Sequence, residues 1–147
     1  MRTDKFTIKT REALADARDL ADESGHPEVR PIHLLRTLLD QKEGIVRPII
    51  EKLGVGVERL DRAVDEQLGR LPTVEGGRLD LSGALSDVLK QAEKEADELG
   101  DEYVSTEHVL LGLVGSRDKT GELLRDHGVS EESARSAMTD VRGGQQV

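Results

Sequence analysis

The sequence predicts an all-α protein built from two tandem four-helix repeats that pack with pseudo-twofold symmetry. Apolar residues recur at spacings of three and four along most of the chain, the pattern of helices with one buried face. The stretch VRPIHLLRTLLD, which starts at position 29, matches VSTEHVLLGLVG, which starts at position 104, at an offset of 75 residues. A match of this length within one chain indicates a duplicated structural unit. No segment shows the alternating pattern of a strand.

The duplication extends over most of the chain. Upstream, apolar and glycine positions between 14 and 25 match those between 89 and 100 at the same offset. Downstream the offset falls to 74, so one residue was lost between Asp40 and Ile49. We therefore expect a single domain over residues 1–147, divided into repeat one (1–70), a linker (71–82), repeat two (83–142) and the start of an exit linker (143–147). Pro72 and the pair Gly76-Gly77 favour an exposed connection between the repeats.

The helices of repeat one have clear start and stop signals. Thr7 can act as the N-cap of the first helix, and Gly25 suits the left-handed residue after its end. Pro31 opens the second helix, where its missing N–H has no cost. Pro48 must lie in the first turn of the third helix, which stops at Gly54. The fourth helix runs from about residue 57 to residue 69.

Repeat two follows the same order. Its first helix carries an apolar stripe from Leu85 to Ala96 and ends near Gly100. Ser105 or Thr106 caps the second helix, and Leu123-Leu124 anchors the third. Ser130 caps the fourth, in which four apolar residues are expected to face inward: Ala134, Ala137, Met138 and Val141. The seam between the repeats is the natural place for a groove.

Composition excludes several classes of function. Charged residues make up 35% of the chain and its net charge is −9, so binding to nucleic acid or to an anionic membrane is disfavoured. No apolar run reaches the ~20 residues that a membrane-spanning helix needs, and the N-terminus lacks the apolar core of a signal peptide. The absence of cysteine fits a cytoplasmic protein. Phe6 and Tyr103 are the only aromatic residues, so the core must be aliphatic.

No pattern in the sequence indicates catalysis or a cofactor. The stretch GSRDKTG at 115–121 lacks the second glycine of a phosphate-binding loop, so a loop between helices explains it better. His33 and His108 occupy equivalent positions, which duplication explains without a metal site. Paired acids such as Asp101-Glu102 are typical of a solvated helix surface. We expect no enzyme activity, no metal and no cofactor in this chain.

Three stretches carry a resemblance that covers essentially the whole chain: FTIKTREALADA, HPEVRPIHLLRTLL and GDEYVSTEHVLLGL. They are similar to the N-terminal domain of the Clp ATPases, and RLPTVEGG and VRGGQQV are similar to the disaggregase branch. The resemblance implies an all-helical domain on a hexameric AAA+ ring, with ATP and magnesium bound by ATPase modules outside this chain. It implies unfolded or aggregated polypeptides as partners, with adaptor proteins as the partners of some relatives, and a monomeric isolated domain.

The resemblance also implies a set of substrate-binding residues. A polar cluster in the family corresponds to Thr7, Asp101 and Glu107, and an apolar groove corresponds to four further positions: Leu89, Gln91, Glu95 and His108. Structural roles also explain the first three, as an N-cap, a turn residue and a partner of the helix dipole. Three of the four groove positions are polar here, so we expect weak binding or a preference for partly basic segments.

Two other functions are compatible with the sequence. One is an adaptor- or degron-docking domain of a protease-coupled Clp unfoldase, and the other is a mobile spacer with no binding of its own. In the protease-coupled branch a Thr-Glu-His motif in both repeats helps to bind phosphorylated arginine. Here repeat two has Thr106-Glu107-His108, but repeat one has Pro31-Ile32-His33, with no acid. This argues against symmetric recognition of phosphorylated arginine.

Overall fold

The computed structural model describes residues 3–142, and the predicted exit linker at 143–147 lies outside them. The described chain folds into eight α-helices, four in each repeat, as the all-α prediction requires. A short 3-10 helix, Thr3–Lys5, precedes them. The helices are α1 (Ile8–Glu23), α2 (Pro31–Asp40), α3 (Val46–Lys52), α4 (Val57–Gly69), α5 (Gly83–Glu98), α6 (Thr106–Val114), α7 (Lys119–Asp126) and α8 (Glu131–Arg142).

The core is aliphatic and is shared by both repeats. Phe6 is 2% exposed and packs among leucine, valine, isoleucine and alanine side chains from all eight helices. Every residue of α6 is buried, because this helix lies at the centre of the domain. The prediction that Val141 faces the core is wrong, since its side chain is 37% exposed. The packed face of α8 consists of Ala134, Ala137 and Met138, and Val141 lies beyond it in the last turn.

Two short parallel pairings join the repeats, and the sequence pattern did not predict them. Strand β1 (Glu28–Val29) pairs with β2 (Asp80–Leu81), and a single bridge joins Phe6 to Val104. Leu81 follows Phe6 by 75 residues, and Val104 follows Val29 by the same number, so the two pairings are related by the pseudo-twofold. Each repeat thus pairs the segment before its first helix with the segment before the second helix of the other repeat.

Backbone hydrogen bonds connect the same pairs of segments between the two repeats. The Thr7 N–H donates to the Val104 carbonyl at 3.1 Å, and the Ser82 N–H donates to the Val29 carbonyl at 2.9 Å. Strands of two residues are too short to show a period of two, so only tertiary packing reveals them. The pairing of Asp80–Leu81 also means that the end of the predicted linker is ordered against repeat one.

A buried histidine closes the loop before the second helix of each repeat. The Nδ1 atoms of His33 and His108 each accept the backbone N–H three residues earlier, at 2.9 Å in both cases. Their protons therefore lie on Nε2, which donates to His26 Nδ1 at 2.8 Å in repeat one and to Asp101 Oδ2 at 2.6 Å in repeat two. The two loops have the same hydrogen bond from the backbone to the histidine. They differ in the group that accepts the hydrogen bond from the imidazole Nε2–H.

The first helix pair of each repeat also packs by different means. In repeat one the Thr37 hydroxyl donates to the Ala13 carbonyl at 2.9 Å. Gly112 occupies the equivalent position in repeat two, and a Cβ atom there would lie 2.6 Å from the Val88 carbonyl oxygen. Glycine is therefore required by the close approach of α5 and α6.

We expect Gly112→Ala to lower the free energy of unfolding by about 2 kcal/mol, because the added methyl group would force the two helices apart. The matched control is Gly83→Ala, at the start of α5, where a Cβ meets nothing within 4 Å. That change should leave stability equal or slightly higher. Chemical denaturation measures both, and equal stability of the two variants would contradict the close approach.

We expect stability to fall in mild acid because of the histidine pair in repeat one. Burial, followed by the nearby charges of His26 and Arg30, lowers the pKa of His33 to about 4. The pKa of histidine in an unfolded chain is near 6.5. Below that pH the unfolded chain therefore binds a proton that the folded chain does not bind. The free energy of unfolding should therefore drop by about 2 kcal/mol between pH 6.5 and 4.

His26→Asp tests this cause, because it gives His33 the carboxylate partner that His108 has in repeat two. A carboxylate favours the charged imidazole, so the variant should lose most of the decrease between pH 6.5 and 4. His127→Asn, which removes a histidine outside the pair, should keep the wild-type slope. An unchanged slope in His26→Asp would show that other groups cause the acid sensitivity.

Candidate functional site

The start of α1 and the loop between α5 and α6 each carry one exposed apolar side chain. Tyr103 is 45% exposed in this loop, and Ile8, the first residue of α1, is 67% exposed. The bond from the Thr7 N–H to the Val104 carbonyl holds the two segments side by side. We call Thr7, Ile8 and Tyr103 the capture surface. Neither Ile8 nor Tyr103 was among the predicted site residues, although Tyr103 is one of only two aromatic residues in the chain, both outside the predicted helices.

Thr7 has both the capping role and a partly exposed side chain. Its hydroxyl oxygen accepts the Thr10 backbone N–H at 3.2 Å and lies 2.9 Å from the Thr10 hydroxyl oxygen. The Thr10 hydroxyl in turn donates to the Val104 carbonyl at 3.1 Å. The two threonines therefore attach the start of α1 to the loop that carries Tyr103.

Behind the capture surface lies a buried charge cluster formed by Asp101, Glu107, His108 and Arg142. Asp101 accepts one hydrogen bond from His108 Nε2, at 2.6 Å, and a second from Arg142 Nη2, at 2.9 Å. Arg142 Nε lies 3.5 Å from a carboxylate oxygen of Glu107. The side chains of Asp101 and His108 are fully buried, and that of Arg142 is 9% exposed. The cluster joins the end of α8 to the loop and to the first turn of α6.

Repeat one replaces the whole charge cluster with neutral residues. His26 stands at the position of Asp101 and Ile32 at that of Glu107, both at an offset of 75. Leu68 stands at the position of Arg142, at the downstream offset of 74. Asp101, Glu107 and Arg142 thus all have neutral counterparts in repeat one, whereas the capping histidine is present in both repeats. Only repeat two therefore has charged groups beneath its loop.

A second ion pair attaches α8 to α5. Arg135 Nη2 lies 2.7 and 2.8 Å from the two carboxylate oxygens of Glu95, which is 3% exposed. Hydrogen bonding to Glu95 raises the pKa of Arg135. Gln91 donates its amide N–H to the same carboxylate at 3.1 Å. One helix, α8, thus supplies the arginines that pair with acids on α5, α6 and the loop between them.

The predicted site residues divide into two groups by exposure. Thr7 and Gln91 are partly exposed, and Gln91 and Val88 line a cavity of about 370 Å³ between α5, the end of α6 and the start of α8. The others are buried, with exposures of 7% or less: Leu89, Glu95, Asp101, Glu107 and His108. Their part in binding polypeptide stays a prediction, and the present conformation gives them no open groove.

Within residues 3–142, no group of three or more potential ligands is arranged to hold a metal ion. None of the helices in that range has the length and apolarity needed to cross a membrane.

The charge cluster makes a testable contribution to stability. We expect Arg142→Leu to lower the free energy of unfolding by about 3 kcal/mol, because Asp101 and Glu107 would remain buried without their cation. The triple variant Asp101→His, Glu107→Ile, Arg142→Leu reproduces the neutral set of repeat one and should recover most of that loss. Denaturant titration measures both, with Arg117→Leu, an exposed arginine, as a near-neutral control. A triple variant as unstable as Arg142→Leu would show that the neutral residues of repeat one cannot replace the charge cluster in repeat two.

Comparison with known proteins places this geometry in a family. Residues 5–127 match the family model described as the Clp repeat (R) N-terminal domain. The full chain is 35% identical over 149 residues to the chaperone protein ClpB of Pseudomonas putida and 38% identical over 149 residues to that of Vibrio cholerae. In both cases it spans 17% of the relative's length.

Solved structures show the same fold at lower sequence identity. The Hsp104 N-terminal domain from Candida albicans superposes with a TM-score of 0.84 at 20% identity, covering 97% of this chain and 94% of that one. The N-domain of ClpV from Vibrio cholerae gives 0.78 at 22% identity, covering 96% and 87%. The chain therefore belongs to the family of Clp N-terminal domains, and it corresponds to that domain of a Clp protein rather than to its ATPase.

Proposed function

We propose that this chain is the substrate-engaging N-terminal domain of an ATP-dependent protein disaggregase that acts in the cytoplasm under stress. It captures exposed segments of unfolded or aggregated proteins and passes them to the pore of a hexameric AAA+ ring. The similarity to ClpB over the full chain supports this proposal.

The capture surface is the observation that carries the proposal. In a chain with a net charge of −9, Ile8 and Tyr103 expose apolar side chains on the two segments that the Thr7 N–H bond joins. Exposed apolar area beside hydrogen-bonding groups suits an unfolded segment, which offers apolar side chains and unpaired backbone groups together. The positions related to Ile8 and Tyr103 by the offset of 75 are Gly83 in repeat two and Glu28 in repeat one, so the same pair of side chains does not occur a second time.

A small surface is suited to transient capture. Few apolar side chains give weak binding, and weak binding lets the segment leave the domain when the ring pulls it. The copies of a hexameric parent raise the effective concentration of the surface around one aggregate. Avidity can therefore replace tight binding at any single domain.

The buried predicted residues take part by positioning the capture surface. Asp101, Glu107 and His108 hold the loop that presents Tyr103, while Thr7 contacts the segment directly. Gln91 contacts it at the cavity beside α5, where Leu89 and Glu95 support the helix. Glu95 can contact the segment directly only if its carboxylate separates from Arg135 of α8, and Glu107 only if its carboxylate separates from Arg142 of the same helix.

Docking of a folded adaptor is the second candidate function. Solved structures with the same fold include a complex of the ClpV N-domain with a VipB peptide, with a TM-score of 0.77 at 20% identity. For ClpV, that complex indicates that the N-domain recognises a defined peptide. In this chain the same mode would require one sequence to bind much more tightly than unfolded chains in general.

We expect an unfolded, non-cleavable model polypeptide to shift the NMR signals of residues 7–8, 91 and 101–105. Replacing both Ile8 and Tyr103 with serine should weaken binding about tenfold, because most of the exposed apolar area is lost. Thr7→Ala should weaken it less, and Val74→Ser is the matched control. Val74 is 49% exposed in the linker, away from the capture surface, so its replacement should change affinity less than about twofold.

The same titration separates the candidates. If the unfolded polypeptide shifts no signal while a folded adaptor does, the domain docks adaptors and direct capture is wrong. If neither shifts any signal, the domain is a spacer. Equal weakening by Val74→Ser and by the double serine variant would mean that the capture surface has been misplaced.

A further inference from the structure

A second cleft lies at the seam between the repeats, and its charge is opposite to that of the molecule. It has a volume of about 510 Å³, within the usual range for ligand sites. The start of α2, the end of α4 and the following linker form one side, and the start of α7 with the loop before it forms the other. Gln67 of α4 donates to the Lys119 carbonyl at 3.1 Å and joins the two sides.

The cleft combines an apolar floor with a basic rim. Ile32, which is 3% exposed, lies in the floor with Leu71 and Pro72. Four cations line the rim, against only two acids: Arg30, Arg70, Arg117 and Lys119 against Asp118 and Glu122. Arg30 is paired with Glu28 at 3.3 Å and Arg70 with Glu66 at 3.8 Å, so the positive charge that can attract an anionic group lies mainly on Arg117 and Lys119.

The acids of the cleft do less to neutralise it than their number suggests. The Asp118 carboxylate already accepts bonds from the Ser116 hydroxyl at 2.7 Å and from the Gly121 N–H at 3.3 Å, as the N-cap of α7. Among residues 3–142, by contrast, the side chains of Arg117 and Lys119 form no ion pair, and both are exposed. These two cations are therefore available to an incoming anion.

A buried hydroxyl group provides an independent observation. Thr120 lines the cleft and is 1% exposed, yet its hydroxyl makes no hydrogen bond to any residue within the described range. The Thr120 hydroxyl oxygen is not one of the enclosed polar atoms without a partner in this range, so it keeps contact with the solvent of the cleft, where a ligand can reach it. The hydroxyl can donate to a carboxylate or a carbonyl oxygen of such a ligand.

We propose that this cleft binds a short acidic polypeptide segment in which aspartate or glutamate residues flank an apolar residue. The carboxylates pair with Arg117 and Lys119, and the apolar residue packs on Ile32 and Leu71. The Thr120 hydroxyl donates to the bound segment. An extended phosphate backbone fits less well, because the acidic surface around the cleft repels charges that run beyond it. The proposal stands on the cleft alone and does not depend on the capture surface.

The test uses fluorescence anisotropy with the dye-labelled peptide ELEELE and two reference peptides, QLQQLQ and KLKKLK. We expect ELEELE to bind, to bind more weakly as salt is added, and to bind at least about tenfold tighter than either reference peptide. Reversing both free cations, in Arg117→Glu with Lys119→Glu, should weaken binding at least about tenfold. Thr120→Val, which keeps the shape but removes the hydroxyl, should weaken it about threefold.

The matched control is Lys52→Glu with Arg62→Glu, because both residues are exposed and the change in net charge is identical. It should change the affinity for ELEELE less than about twofold, and replacing Ile8 and Tyr103 should have no effect. Equal weakening by the two charge-reversed variants would overturn the proposal, as would equal binding of ELEELE and QLQQLQ. Equally tight binding of inorganic tripolyphosphate would identify a general anion patch and also overturn it.

Discussion

The reciprocal pairing between the repeats is the constraint on which the rest of the domain depends. The segment before α1 is held by the loop before α6, and the segment before α5 is held by the loop before α2. Each loop is closed from its other side by the buried histidine of the following helix. The partner repeat thus fixes the position of the segment that precedes each of these helices. The segments that carry Thr7 and Tyr103 lie together because of this pairing.

Duplication supplied the framework, and divergence between the copies supplied the site. The backbone bonds and the capping histidines are present in both repeats. The groups around them differ, since repeat two carries a buried charge cluster where repeat one carries an imidazole and two aliphatic side chains. The exposed side chains differ as well, and so a symmetric scaffold has one apolar capture surface and, in another place, one basic cleft.

Sequence periodicity was sufficient for the eight helices, the Thr7 cap and the duplication, because these depend on local spacing and on residue identity. It could not show the reciprocal strands, which are too short to have a period. It also could not show that Glu95 and Glu107 are covered by arginines 40 and 35 residues later, because such ion pairs depend on how helices pack. Periodicity also does not mark Ile8, whose exposure follows from the orientation of the start of α1.

The bridge between Phe6 and Val104 has a consequence for how the chain folds. The Thr10 hydroxyl bonds a carbonyl 94 residues away, so the surface that contains Thr7 and Tyr103 closes only when nearly the whole chain is in place. Contacts between such distant residues form late and slow the folding reaction. Neither half of the duplicated chain can complete its own loop, and the two halves should therefore unfold in one cooperative transition. A partly synthesised or partly unfolded domain would then lack the surface formed by Thr7 and Tyr103, so the proposed capture of segments would require a domain that is itself completely folded.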